Sequence, residues 1–294
     1  MKHWRFLASS VWASLVVLFF AFGCGFGQSV PAAISTDPPR DAAHPANMTV
    51  LHIPDHGVVI NGLIYQPPGA GPHPTLVICH GLPGNEKNLD LAQAVRRAGW
   101  NAVTFNYRGS WGSPGVFRFA QTLEDADAVL AYIRVPETAS KLGIDTRRIA
   151  MAGHSMGGWV TAQTASHDHA LIGAILISAA DMGANNAQSR KKVVAMMADD
   201  MESLAGVTAE SMADEVFAHA KEFRLDNAVA GLKETRLLVL TSDDGLQPQA
   251  DALVHAIEAE GGHGVKSMHV ATDHSWSDRR IALESAVINW LAGL

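Results

Sequence analysis

Cysteine is almost missing from this chain: the 294 residues carry two, Cys24 and Cys79. Cys24 falls within the amino-terminal apolar stretch, so the mature protein has no internal disulfide, and its stability must come from a buried core. Basic charge is also scarce. Lys and Arg number 22 against 29 Asp and Glu, giving a net charge of −7 and a pI near 6.0. No basic stripe stands out, which speaks against a nucleic-acid partner. Internal repeats are absent too, which excludes solenoid and propeller architectures.

What is present is apolar content. At 48% hydrophobic residues, a chain of this length can bury one large core in a single domain. Fourteen histidines are many, but they are scattered. The group His167-Asp168-His169 sits at a predicted helix end without a matching ligand set, and reads as a solvated turn, not a metal site.

The amino terminus stands apart. Lys2, His3 and Arg5 precede an uncharged apolar stretch from Phe6 to Gly27, the layout of a signal peptide, with a length that also permits a membrane anchor. Ala21-Phe22-Gly23-Cys24 approximates a lipoprotein cleavage box but has alanine where leucine is usual. Residues 28–47, rich in Pro and Ala, read as a flexible linker, leaving 48–294 as the folded domain.

Within that domain, apolar runs of strand length alternate with segments of helical period. An opening hairpin is predicted over Met48–Ile53 and Val58–Tyr65, then strands at Thr75–Cys79, Ala102–Asn106, Arg148–Ala152, Leu171–Ser178, Leu237–Thr241 and Ser267–Thr272. Helices are predicted over Asn88–Ala98, Leu123–Val135 (stopping at Pro136), Trp159–Ser166 and Ser277–Leu291. The alternation predicts an α/β fold, a mostly parallel sheet with helices on both faces. Residues 181–234 break it with two helical segments, Ala187–Leu204 and Ala209–Phe223. Ligands of such sheets bind beyond the carboxyl ends of the strands.

Three strand ends carry chemistry. Gly153-His154-Ser155-Met156-Gly157 follows one strand and opens a helix. In this G-x-S-x-G arrangement the serine sits on a strained turn, and the glycines leave it room. The turn aims the Met156 N–H and the positive helix end at any oxyanion beside Ser155. Ser242-Asp243-Asp244 ends the later strand, and Asp273-His274 ends the last. A serine hydroxyl needs a base within reach and an acid to orient that base. His274, directly after a strand, is the candidate base; His269 lies inside the strand pattern and His263 in a glycine turn before it.

With serine, acid and histidine in that order, residues 50–294 resemble the α/β-hydrolase superfamily. The likeness is nearest to single-domain serine hydrolases of the dienelactone hydrolase, prolyl-oligopeptidase-like and serine-aminopeptidase-like groups. His80-Gly81-Leu82-Pro83-Gly84 and Asn106-Tyr107-Arg108-Gly109-Ser110-Trp111-Gly112-Ser113 also match them. The resemblance implies an α/β-hydrolase fold, with 181–234 as a small lid. It favours Asp244 as the acid, four residues before Pro248, over Asp243, with Asp181 as a third position used by some relatives. It also implies an oxyanion hole from the backbone N–H groups of Leu82 and Met156, with His80 orienting the loop. Cys79 is a buried apolar residue and not a nucleophile.

Arg108 reads as a tie for its own loop in preference to a substrate anchor. Trp111, Phe117, Phe119, Met182, Met196 and Met197 either line an acyl pocket or pack the lid on the body. The expected activity is that of an exported serine hydrolase acting on a small carboxylic ester through an acyl-enzyme. A peptidase or amidase is the alternative, and a non-hydrolytic or binding-only role a distant third. No cofactor, metal or nucleic acid is called for; membrane attachment, if any, would run through the amino terminus.

Overall fold

The computed structural model describes residues 30–294; the signal-peptide or anchor stretch lies outside the described residues. Eight strands form one sheet in the order β1-β2-β4-β3-β5-β6-β7-β8. The hairpin β1 (Asn47–Asp55) and β2 (Val58–Gln66) forms one edge, and β2 runs antiparallel to β4 (Asn101–Phe105). All other neighbours are parallel: β3 (His73–Cys79), β5 (Ile144–His154), β6 (Gly173–Ile177), β7 (Leu237–Thr241) and β8 (Val265–His269). Every residue of β4, β6 and β7 is buried, as a parallel sheet covered on both faces requires.

Alternation along the strands divides the core in two. In β3, Val77 and Cys79 face one cluster with α3 (Phe119–Arg134), α5 (Met156–His167) and the insert; Leu76 and Ile78 face the other, with α2 (Leu89–Arg97) and α10 (Arg280–Leu291). Each fully buried aliphatic side chain here contributes about 1.5–3 kcal/mol.

Local departures from the sequence pattern have identifiable causes. Pro136 ends α3 but also opens α4 (Pro136–Leu142), since a proline at the first helical position lacks only an N–H that has no partner there anyway. In the insert, α6 (Arg190–Ala198) stops six residues before the predicted end at Leu204. Residues 203–205 instead hydrogen-bond to the loop after β4: Trp111 N–H to Ser203 O, Ala205 N–H to Gly109 O, and Phe117 N–H to Ala205 O, at 2.8–3.0 Å. Tertiary pairing overrides helical propensity there. The insert continues through α7 (Ala209–Ala218) and α8 (Val229–Leu232), and α9 (Gln247–Ala259) follows β7. Upstream, in the stretch read as a linker, Ala32–Ser35 forms one turn, α1, whose carbonyls at Ala33 and Ile34 accept from Arg97.

Candidate active site

The tip of β5 and the start of α5 meet at Ser155, whose backbone (φ 58°, ψ −121°) lies in a region that L residues avoid. The glycines on either side explain how the turn closes. A Cβ on Gly153 would stand 1.9 Å from the Gly157 carbonyl oxygen, and one on Gly157 would stand 2.2 Å from that of Cys79. The turn is also pinned: the Ser155 N–H donates to Ile177 O at 2.9 Å, and its carbonyl accepts from Gly158 N–H (2.9 Å) and Ala180 N–H (3.1 Å). Met156 is the first residue of α5, so its N–H has no acceptor within the helix.

His274 lies in the loop after β8, and its Nδ1 is 2.7 Å from Asp244 Oδ2. The aspartate side chain is 4% exposed, the histidine 39%, so the pair presents imidazole outward and carboxylate inward. Burial alone would raise the Asp244 pKa. Hydrogen bonds from His274, the Leu246 N–H and Ser242 outweigh it and hold the carboxyl below its ordinary value.

The other candidates go elsewhere. Asp243 faces solvent and pairs with His269 Nε2 at 3.1 Å. Asp181 caps the turn at Met182–Ala187 and binds the Leu225 N–H and Arg224, so it fastens the insert. His263 lies in the irregular stretch between the turn at 260–261 and β8. Asp168 of the histidine-flanked triplet pairs with Arg134, and His167 with Asp127.

Residues that sequence reasoning passed over fasten this group. His154, the variable position of the elbow pattern, donates from Nε2 to the His274 carbonyl at 2.8 Å, the two rings 4.6 Å apart. Burial, followed by the neighbouring His274 charge, lowers its pKa to about 4, so it stays neutral and keeps one N–H for this bond. Behind Asp244 runs a chain of donors. The buried Trp276 indole N–H donates to Ser178 Oγ (3.1 Å), Ser178 to Ser242 Oγ (2.8 Å), and Ser242 to the carboxylate. Arg280 ties down the Ser275 carbonyl at 3.1 Å. The one signal in the sequence is a serine just beyond each of two adjacent strands, β6 and β7.

The loop 80–84 comes up against Ser155 from the end of β3: a Cβ on Gly81 would stand 3.0 Å from Ser155 Cβ. His80 is buried, and burial lowers its pKa to about 4. Its Nδ1–H donates to the Gly81 carbonyl at 2.7 Å. That carbonyl belongs to the same planar peptide unit as the Leu82 N–H, which must therefore point the opposite way. Cys79 is fully buried, and burial pushes its thiol up to about 12, so no thiolate is available. Arg108 is buried among Asp125, Glu124 and Asp55, a tie for its loop. Phe117, Phe119, Met182 and Met197 are core residues that seat the insert on the body, whereas Trp111 and Met196 are exposed.

The sequence comparison decides the family. Residues 70–228, more than half of the chain, match the family described as "Serine aminopeptidase, S33". The chain belongs to this family. Its fold is the α/β-hydrolase fold. Est1E from Butyrivibrio proteoclasticus superposes with a TM-score of 0.64 at 18% identity, over 83% of this chain and 98% of that one. An acylaminoacyl peptidase of Pyrococcus horikoshii gives 0.63 at 16%, over 84% and 41%. At these identities the likeness is one of fold. Among curated proteins, an uncharacterised 31.7 kDa protein of Escherichia coli is 34% identical over 107 residues, or 35% of this chain and 36% of that protein. A Mycobacterium tuberculosis protein, also uncharacterised, is 27% identical over 124 residues, 42% of each. The chain thus aligns with less than half the length of either relative.

Proposed function

We propose that this family member is a serine hydrolase in which Ser155, His274 and Asp244 form the catalytic triad and carboxylic esters are the substrates. The observation that carries the reading is the strained, glycine-flanked Ser155 at the same sheet edge as the 2.7 Å His274–Asp244 pair. His274 takes the serine proton as Oγ attacks the ester carbonyl, and Asp244 holds the ring in the tautomer that leaves Nε2 free to accept it. The Leu82 and Met156 N–H groups receive the oxyanion, each contributing on the order of 3 kcal/mol to the transition state. The alkoxide leaves with the proton from His274, and water then releases the acid by the same steps in reverse order.

Amide hydrolysis is the second reading, favoured by the family description. Nitrophenyl esters of increasing acyl length, assayed beside aminoacyl-nitroanilides, separate the two. Because a nitrophenyl ester is intrinsically the more reactive, the ester reading requires that esters be turned over and no anilide be hydrolysed above the uncatalysed rate, and clear turnover of an aminoacyl-nitroanilide would replace it. Export is part of the proposal. Mass spectrometry of the protein from its native envelope should find a start between Cys24 and Ala33, with a diacylglyceryl mass if Cys24 is lipidated; an intact Met1 would contradict cleavage.

A further inference from the structure

The Leu82 N–H is held from two sides, and one of them belongs to the insert. On the near side, His80 fixes the Gly81 carbonyl. On the far side, the Pro83 carbonyl accepts two hydrogen bonds that fill both of its lone pairs: Trp111 Nε1–H at 2.7 Å and Ser203 Oγ–H at 3.1 Å. Trp111 comes from the loop after β4 and Ser203 from the insert, 120 residues beyond Pro83.

Several features hold these two residues in place. Trp111 is 40% exposed, yet it is held in the left-handed region at φ 48°, a conformation that costs a bulky side chain energy. Its backbone N–H donates to Ser203 O, and the Lys87 ammonium sits 4.1 Å over its ring while bonding Asn106 Oδ1 at 2.9 Å. Ser110 and Leu204 form a bridge beside it. Gly84 leaves both rings their space: a Cβ there would stand 2.5 Å from His80 Nδ1 and 2.8 Å from Trp111 Nε1. The indole and the hydroxyl are thus oriented by a built framework onto one carbonyl, one residue from the oxyanion donor.

We propose that Trp111 and Ser203 are positioning residues for the oxyanion hole, so that the Leu82 N–H is aimed at the reacting carbonyl only while the insert segment 203–205 is docked on the loop after β4. The inference rests on the serine-hydrolase reading. Its consequence is that the insert governs the chemical step as well as any access it controls. An oxyanion donor is worth about 10²–10³ in turnover when removed. Loosening one of two shared anchors is expected to lose about tenfold, and loosening both about a hundredfold.

The test compares Ser203→Thr with Ser203→Val, which differ only in the hydroxyl and fill the same volume, and adds Trp111→Phe and the Ser203→Val/Trp111→Phe double variant. On a short-chain nitrophenyl ester, Ser203→Thr should stay within about twofold of the parent. Ser203→Val and Trp111→Phe should each lose about tenfold in kcat with KM within about twofold, and the double variant about a hundredfold. Equal kcat for the threonine and valine variants, or a loss confined to KM, overturns the proposal. Ser155→Ala runs alongside. If that variant is inactive while the double variant turns over at the parental rate, the positioning role falls and the hydrolase reading stands. If Ser155→Ala keeps its activity, both fall.

Discussion

Replacing Asp244 with asparagine changes one oxygen for an amide nitrogen in a site that is 4% exposed and 2.7 Å from His274 Nδ1. The shape is preserved and the Leu246 N–H and Ser242 hydroxyl can still donate to the remaining oxygen, so folding should survive. The tautomer should not. An amide N–H facing Nδ1 makes that nitrogen an acceptor and moves the ring proton to Nε2, where it blocks uptake of the serine proton. Loss of the orienting carboxylate in well-studied triads lowers turnover by about 10⁴, equivalent to about 5.5 kcal/mol of transition-state stabilisation. We therefore expect Asp244→Asn to lose at least a thousandfold in kcat with little change in KM. Asp243, 63% exposed, makes a surface contact with His269 Nε2, of the kind worth about 0–1 kcal/mol, and Asp243→Asn should stay within about tenfold. Steady-state kinetics on a nitrophenyl ester measure both. Equal losses at the two positions, or a larger loss at Asp243, would refute the assignment, and a collapse confined to Asp181→Asn would move the acid to the preceding strand.

Two further outcomes follow from the packing. Gly157→Ala places a methyl 2.2 Å from the Cys79 carbonyl and 2.6 Å from that of His80; such overpacking against backbone should cost about 3 kcal/mol or more and lower the melting temperature by about 6 °C or more, and a parental melting curve would count against the turn geometry. His154 titrates near 4 when folded because it is buried, against an ordinary 6.5, so the unfolded chain binds its proton more tightly. Its contribution is therefore whole above pH 6.5 and is lost as pH falls toward 4, by about 3 kcal/mol at most. The stability gap between the parent and His154→Gln, measured by urea unfolding, should shrink over that window, and a gap independent of pH would show that the ring is not held neutral by burial.

Most of the sheet was legible because β3, β4, β6 and β7 are compact apolar runs, and the elbow because its glycines answer to backbone approaches under 2.5 Å. By contrast β8, largely exposed at the sheet edge with the sequence VKSMH, starts two residues before the predicted Ser267 and ends at His269, not Thr272. The choice of Asp244 as the proposed acid rested on resemblance alone: Asp243 and Asp244 are adjacent, and what separates them in the structure is the direction of their side chains toward His269 and His274. Of the fastening residues, only Ser178 and Ser242 left a trace in the sequence, each one residue beyond a strand end. His154 meets His274 across 120 positions, Trp276 meets Ser178 across 98, and Ser178 meets Ser242 across 64. Nothing local in the chain marks such pairings. Residues 203 and 204 fall inside the predicted helix for the same reason, since their pairing partners lie about ninety residues earlier, in the loop after β4.

The central claim is that Ser155 is the nucleophile, and active-site labelling tests it most directly. A fluorophosphonate should modify the parent once, and peptide mass spectrometry should place the adduct on Ser155; Ser155→Ala should take up no label, hydrolyse no ester, and melt within a few degrees of the parent. An adduct on another serine, or undiminished turnover in a folded Ser155→Ala, would contradict the account.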